Sequence, residues 1–191
     1  TLVSGGAIFM SQFNGAKDRE GMQQTFRYKV LTISVLATAA IALSLLLPSQ
    51  MLGLLLNSNS QSAGIIAEGK TYLSLIALTF IPMGISLAIG SSLREIGKVR
   101  APLIISVAAT LVNTFFNWVL IYGNLGAPRM EVAGAAIATV IARAFEMILF
   151  IAYAAGTKPP FWVKARSFFN LNLRLFAAIL RKSGIIFLSE M

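Results

Sequence analysis

Polar side chains recur at helical spacing inside an apolar stretch of the chain. Asn113 and Asn117 are four residues apart, so they project from the same face of a helix. Thr110 and Thr114 lie on or near that face. Amide and hydroxyl oxygens are hard ligands that suit an alkali cation. The pattern predicts a cation site, or alternatively amides that bond neighbouring helices in a bundle.

A second polar pair, Arg143 and Glu146, is spaced three residues apart in another apolar stretch. Opposite charges at that spacing on a helix neutralise each other. A functional interpretation makes Glu146 a proton carrier. We favour a structural ion pair towards the cytoplasmic half, which the long arginine side chain reaches by snorkelling. Glu190 is the only other acid within an apolar stretch of spanning type.

The residue types exclude most catalytic chemistry. The chain has no Cys and no His, which removes thiol nucleophiles, disulfides, zinc sites and histidine acid–base catalysis. Its glycines do not form a phosphate-binding loop. We therefore predict no catalytic residues, no cofactor and no enzymatic activity.

These side chains must be positioned by membrane-spanning helices. Hydrophobic residues make up 57% and charged residues 12% of the chain, whereas a soluble domain carries about 25% charged residues. A transmembrane helix needs about 20 mostly apolar residues, and unpaired backbone groups are excluded from the bilayer. Four segments qualify: Val30–Pro48, Thr71–Leu93, Pro102–Tyr122 and Val132–Ala155. Partial spans flank them at Thr1–Ala16 and Ser183–Met191, so we expect a fragment of an all-α, polytopic transmembrane helix bundle.

Basic residues set the predicted orientation. The chain has a net charge of +9, and thirteen of its sixteen Lys and Arg residues fall in three connections: Gly15–Lys29, Arg94–Ala101 and Gly156–Lys182. The opposite side has Lys70 and Arg129. Such asymmetry marks the three basic connections as cytoplasmic, facing anionic lipid, and disfavours nucleic acid as the partner.

The connection Lys158–Lys182 mixes aromatic and aliphatic residues with basic ones. We predict a helix lying at the headgroup boundary, with a plain loop as the alternative.

Pro82 is expected to bend its span. Small residues are expected to permit close helix approach: Gly84, Gly90, Gly134, Ala135 and Ala136. Ser11, Gln12 and Asn14 end the first helix, either lining a cytoplasmic mouth or forming a cap with Gly15 as terminator.

Three stretches resemble the multidrug and toxic compound extrusion (MATE) family. They are GGAIFMSQFNGAKDREGMQQTFRYKV (Gly5–Val30), PMGISLAIGSSLREIGKVRAPLI (Pro82–Ile104) and VNTFFNWVLIYGNLGAPRMEVAGAAIATVIAR (Val112–Arg143). They are similar to the end of the second helix, the exit of the fourth, and the fifth helix leading into the sixth. The resemblance implies one incomplete six-helix lobe of a twelve-helix fold. It divides the chain into a lobe at 1–157, a cytoplasmic interfacial linker at 158–182 and the start of helix seven at 183–191.

The resemblance also implies site residues. By motif position, Asn113, Asn117 and Thr139 match an Asn, an Asp and a Thr of an ion site in the N-terminal lobe. Asn117 departs from the family pattern because an amide cannot ionise. A carboxylate on the family's helix one, which we expect this fragment to lack, would have to supply the charge. Gln12 and Glu190 match positions on the substrate or ion pathway. At Glu190 the proline common nearby in relatives is missing.

The implied function is export of small organic cations or drugs in exchange for Na⁺ or H⁺, by a cell-membrane, multi-pass protein that is monomeric when full length. One alternative is a lipid-linked oligosaccharide flippase of the same superfamily, which needs a strongly basic central cavity. Here only Arg143 among the basic residues lies within a span. A membrane-embedded enzyme is the other alternative, and a passive structural subunit comes last.

Overall fold

Six long helices form the described part of the protein. A computed structural model describes residues 2–48, 50, 62–163, 168, 172 and 174–181. The helices are α1 (Leu2–Gly15), α2 (Arg19–Leu46), α3 (Ser62–Ala77), α4 (Phe80–Glu95), α5 (Arg100–Tyr122) and α6 (Glu131–Thr157). Glu190 and the predicted partial span Ser183–Met191 lie outside the described residues.

Helix length and hydropathy confirm a multi-pass, all-α membrane protein. Three of the described helices, α2, α5 and α6, are long and apolar enough to cross a bilayer. The pair α3 and α4 meets the same test as one span that is bent by 44°. These elements correspond to the four predicted spans. Two of them start well before the predicted spans: α2 starts eleven residues before Val30, and α3 starts nine residues before Thr71.

The bent span breaks at Leu78 and Thr79, shortly before Pro82. Proline has no backbone N–H, so it cannot donate to the carbonyl of Leu78, and its ring crowds that carbonyl. At the break, two hydrogen bonds join residues three positions apart. The backbone N–H of Thr79 donates to the carbonyl of Ile76 at 2.9 Å, and the Thr79 hydroxyl donates to the same carbonyl at 2.6 Å. The expected bend at Pro82 is therefore present, displaced towards the preceding turn.

The described residues fall into two compact units. The first comprises Thr1–Val35, Gly84–Ile105 and Ile148–Met191, and the second comprises Leu36–Met83 and Ser106–Met147. The first unit has an apolar core drawn from five helices and the segment after α6. Its fully buried members include Met10, Ala88, Leu93, Ala154 and Phe161.

A buried ion pair crosses the first unit between α2 and α4. The Lys29 side chain is fully buried, and its Nζ bonds the carboxylate of Glu95 and, at 3.2 Å, the hydroxyl of Ser91. Gly6 of α1 lies against the lysine stem, since a Cβ there would come within 3.1 Å of its Cε. The prediction of Gly15–Lys29 as a basic loop between two helices is wrong. Helix α2 already begins at Arg19, which leaves only 16–18 as the turn.

Helix α1 is terminated by Lys17. The expectation that Gly15 is the terminator is wrong. Lys17 has a φ of 55°, and the N–H of Asp18 donates to the carbonyl of Phe13 at 2.9 Å. That bond and the left-handed residue before it define a Schellman cap, in which the left-handed position follows the last helical residue by two. Gly15 is the last helical residue itself.

The segment after α6 is partly helical. Residues 174–181 form helix, with Ile179 fully buried and Arg174 and Arg181 exposed. The ring of Phe176 meets the ring of Tyr28 edge-on, with centroids 5.0 Å apart. This amphipathic arrangement fits an interfacial helix, whose placement in a membrane stays a prediction.

We predict that cysteines introduced at Leu125 and Arg94 label from opposite sides of the membrane. Leu125 is 76% exposed in the connection between α5 and α6, and Arg94 is exposed in the last turn of α4. The chain has no native cysteine to interfere. Membrane-impermeant maleimide applied to intact cells should modify the Leu125→Cys variant and spare Arg94→Cys until the cells are opened. Labelling of both from one side would contradict the topology.

Candidate functional site

A polar cavity of about 210 Å³ lies between α5 and α6 in the second unit. Helix α5 contributes Ser106, Ala109, Thr110 and Asn113, and α6 contributes Thr139, Ala142, Arg143 and Glu146. The members on each helix follow the spacing i, i+3, i+4 and i+7, so each helix presents one face to the cavity. The two alanines leave room for the polar side chains. The lining therefore combines hydroxyls, one amide and one pair of opposite charges within a largely apolar helix pair.

An ion pair occupies one part of the cavity. The Arg143 Nη1 donates to Glu146 Oε2 at 2.7 Å, and the Ser106 hydroxyl donates to Glu146 Oε1 at 3.1 Å. The Glu146 side chain is only 8% exposed, whereas that of Arg143 is 42% exposed. Each carboxylate oxygen thus has a partner, and the serine joins the pair to the neighbouring helix. The spacing of Arg143 and Glu146 indicated their contact, but nothing in the sequence indicated Ser106.

The predicted ion-site residues are only partly brought together. Asn113 and Thr139 line the same cavity from opposite helices. Asn117 reaches Asn113, because its Nδ2 donates to Asn113 Oδ1 at 3.0 Å, but it is not among the lining residues. The Thr139 hydroxyl donates to the carbonyl of Ala135 at 2.9 Å, one turn earlier in α6.

Asn117 contains a buried polar atom that lacks a partner. Its Oδ1 is buried and accepts no hydrogen bond from the described residues. Such an orphaned acceptor costs free energy unless a donor or a cation reaches it. The hydrogen bond to Asn113 meanwhile fixes the orientation of the Asn113 amide. The Asn113 amide is therefore held in place at the cavity, while Asn117, behind it, keeps a carbonyl oxygen with acceptor capacity left over.

The donor set fits a small cation by type, whereas its charge does not favour one. Asn113, Thr110 and Thr139 offer neutral oxygens of the kind that bind alkali ions. Glu146 is the one acid among the described lining residues, and Arg143 neutralises it. The described residues also contain no cluster of three or more acidic side chains. Firm cation binding would need another carboxylate.

The two helices approach closely at Gly134. A Cβ built there would lie 2.6 Å from the carbonyl oxygen of Leu120 and 2.8 Å from its carbon. The same Leu120 carbonyl accepts the N–H of Met130 at 2.9 Å, which closes the connection. Only glycine permits this separation of α5 and α6, and the separation sets the width of the cavity between them.

Other predicted pathway residues lie elsewhere. Gln12 is an exposed residue near the end of α1 in the first unit. Its backbone carbonyl accepts the N–H of Ala16 at 3.0 Å. Glu190 lies outside the described residues. Gln12 therefore belongs to a different unit from the cavity.

Comparison with known proteins gives a consistent result. The MatE family model matches residues 1–119. The chain is 28% identical over 150 residues to a "Probable multidrug resistance protein NorM" of Halalkalibacterium halodurans, covering 78% of this chain and 32% of that protein. It is 27% identical over 179 residues to a protein of the same name from Bacillus cereus, covering 94% and 37%.

A third relative is named as an "Uncharacterized transporter YisQ" in Bacillus subtilis, 23% identical over 154 residues, covering 78% of this chain and 32% of that protein. No solved structure matches the chain significantly. The chain spans about a third of the length of these curated relatives.

Proposed function

Because the chain belongs to the MatE family, we propose that it forms part of a secondary active transporter that exports drugs or other organic cations in exchange for Na⁺ or H⁺. The relatives named as multidrug resistance proteins support export of drugs. The cavity between α5 and α6 is the observation that carries the proposal. Polar groups inside spanning helices are costly in a bilayer, so a cavity lined by them supports a role in binding or transport.

In this proposal Asn113 and Thr139 supply oxygens to the coupling ion. Asn117 acts as a positioning residue, since its amide holds the Asn113 side chain. The ion pair of Arg143 and Glu146 keeps this end of the cavity electrically neutral and ties α6 to α5 through Ser106. A carboxylate outside the described residues supplies the charge that attracts the ion.

The direct test is drug efflux by the full-length protein with the sodium and proton gradients varied separately. We expect ethidium efflux from energised cells or proteoliposomes to depend on one of the two gradients. Efflux that continues with both gradients collapsed would contradict ion-coupled transport. Absence of efflux for a panel of organic cations under all gradients would contradict the proposed substrate class.

We predict that Asn113→Ala lowers ion-dependent efflux about tenfold while expression stays near that of the parent protein. The variant removes one oxygen from the proposed ion site, and a hydrogen bond of this kind contributes only about 1 kcal/mol to stability. Thr114→Ala on the same helix is the matched control, because its exposed hydroxyl bonds the carbonyl of Thr110 and does not line the cavity. Equal losses in the two variants would indicate a general effect on α5.

Asn117→Asp separates an ion site from a purely structural amide pair. A carboxylate at an ion site should tighten sodium binding, measured by calorimetry or by sodium-dependent thermal stabilisation. If the amides serve only to bond each other, the variant should lose stability without gaining sodium affinity.

A flippase for lipid-linked oligosaccharides is the second candidate. Recognition of a pyrophosphate requires several unpaired cations in a central cavity. In the cavity between α5 and α6, Arg143 is the one basic lining residue described, and Glu146 neutralises it. The cavity therefore favours transport of a cation over that of a pyrophosphate.

A further inference from the structure

A second cavity, of about 310 Å³, opens in the first unit where α1 and α6 end. It is lined by Asn14, Lys17, Arg19, Met22, Lys158 and Pro160. Three of these six residues are cationic, and none is acidic. The cations are Lys17 in the turn after α1, Arg19 at the start of α2, and Lys158, the first residue after α6, so chain segments distant in sequence converge on one space.

The acids next to this cavity are directed elsewhere. Asp18 Oδ1 accepts the N–H of Gly21 at 3.0 Å and so caps the start of α2. Glu20 is exposed in the first turn of α2, where the helix dipole favours an acid. Among the described residues, no ion pair involves Lys17, Arg19 or Lys158. The cavity therefore concentrates positive charge that these neighbours leave uncompensated.

Two of the three cations sit in an unfavourable backbone conformation. Lys17 and Lys158 have φ values of 55° and 43°, in the left-handed region that usually holds glycine. Helix α4 ends with the same Schellman cap as α1, but there the left-handed residue is Gly97, with a φ of 83°. Glycine would thus serve the caps of α1 and α6 with less strain. Lysine at both positions instead brings two ammonium groups to one cavity, and such strain is characteristic of binding sites.

The surroundings of the cavity fit the membrane surface. The basic residues belong to connections that the charge asymmetry predicts to be cytoplasmic. Trp162, partly buried, follows Pro160 by two residues, and its backbone N–H donates to the carbonyl of Pro159 at 2.8 Å. Tryptophan is enriched at the level of lipid headgroups. Met22 and Pro160 give the cavity an apolar wall beside its cations.

From this geometry we propose that the cavity binds the phosphate group of an anionic phospholipid in the cytoplasmic leaflet. Lys17, Arg19 and Lys158 contact the phosphate oxygens, Asn14 adds an amide donor, and the apolar wall contacts the glycerol part of the lipid. The recognised chemistry is a phosphate oxyanion, which free inorganic phosphate shares. This site is independent of what the protein transports.

The test is native mass spectrometry of the purified full-length protein with added dioleoylphosphatidylglycerol. The triple variant Lys17→Gln, Arg19→Gln, Lys158→Gln should bind this lipid on the order of 100-fold more weakly, since each hydrogen bond from these cations to the bound phosphate contributes roughly fivefold. The matched control is Arg94→Gln, Lys98→Gln, Arg100→Gln, which removes the same charge from exposed residues of the other described cytoplasmic connection. It should change affinity less than about threefold.

Further arms separate the sources of the effect. Lys17→Arg, Lys158→Arg retains the charges and should retain lipid binding, which separates loss of the site from misfolding. Phosphatidylcholine, whose headgroup has no net charge, should bind the parent and the triple variant alike. Equal losses in the two triple variants would overturn the site in favour of a diffuse surface attraction. Displacement of phosphatidylglycerol by millimolar inorganic phosphate would overturn the lipid and leave a site for the free anion.

Discussion

Gly134→Ala is expected to lower the free energy of unfolding by about 3 kcal/mol, at the upper end of the cost of overpacking. The added Cβ would lie 2.6 Å from a backbone oxygen of Leu120, and a backbone atom cannot rotate away as a side chain can. Helices α5 and α6 would have to separate, which also alters the cavity between them. Thermal or SDS-induced unfolding of the purified full-length protein measures the effect.

Gly156→Ala is the matched control in the same helix. Nothing lies within 4 Å of a Cβ built at Gly156, so the variant should be neutral or stabilising by about 0.5 kcal/mol, as alanine is a better helix former. Gly134→Ala should also reduce efflux more than it reduces expression. Parent-like stability of Gly134→Ala would show that α5 and α6 are farther apart than described.

Arg143→Gln is expected to cost about 2–3 kcal/mol of stability. Removing one partner of a buried ion pair typically costs about 3–5 kcal/mol, because it leaves an uncompensated buried charge. The cost is smaller here because the Arg143 side chain is 42% exposed and Glu146 retains a hydrogen bond from Ser106.

Two further variants test whether the cost of Arg143→Gln comes from the unpaired carboxylate. Glu146→Gln should cost less, about 1 kcal/mol, because the arginine left behind reaches water or headgroups along its flexible stem. The double variant Arg143→Gln, Glu146→Gln should recover most of the stability, since it leaves no unpaired charge. The same unfolding assay ranks the three variants. A double variant as unstable as Arg143→Gln would show that the loss of stability comes from lost side-chain packing and not from an unpaired charge.

The spans were predictable from sequence because apolar length is a local property. Each of α2, α5 and α6 has its own run of apolar residues, and the ends of the runs are marked by charges or turn residues. The contact of Arg143 with Glu146 was predictable for the same reason, since both lie on one turn of one helix. Membership of a family followed from motifs that are local as well.

The contacts between helices were not predictable. Ser106 and Glu146 are 40 residues apart, and the serine is one of many small residues on its helix. Glu95 lies in a basic connection where a solvated acid is the ordinary expectation, yet it pairs with a lysine from another helix.

The helical face of the asparagines was predictable only coarsely. Residues four apart differ by about 40° around a helix, so Asn113 borders the cavity while Asn117 does not. The strained helix caps were also not predictable from the sequence. The sequence pattern favours Gly15 as the residue that ends α1, whereas the left-handed position of the cap is held by Lys17. The ion site itself stays a prediction, since its charge depends on residues that are not described.

The buried pair of Lys29 and Glu95 has a consequence for how the chain is made. The two residues are 66 positions apart, so at about 5–20 residues per second the ribosome delivers the carboxylate about 3–13 s after the lysine. During that interval α2 must enter the membrane with an unmatched ammonium group. Lys29 lies in the half of α2 that the charge asymmetry places on the cytoplasmic side, so its flexible stem keeps the charge among headgroups. Burial of the lysine against Gly6 therefore follows insertion of the fourth helix, so this corner of the protein closes only after α4 has joined α1 and α2.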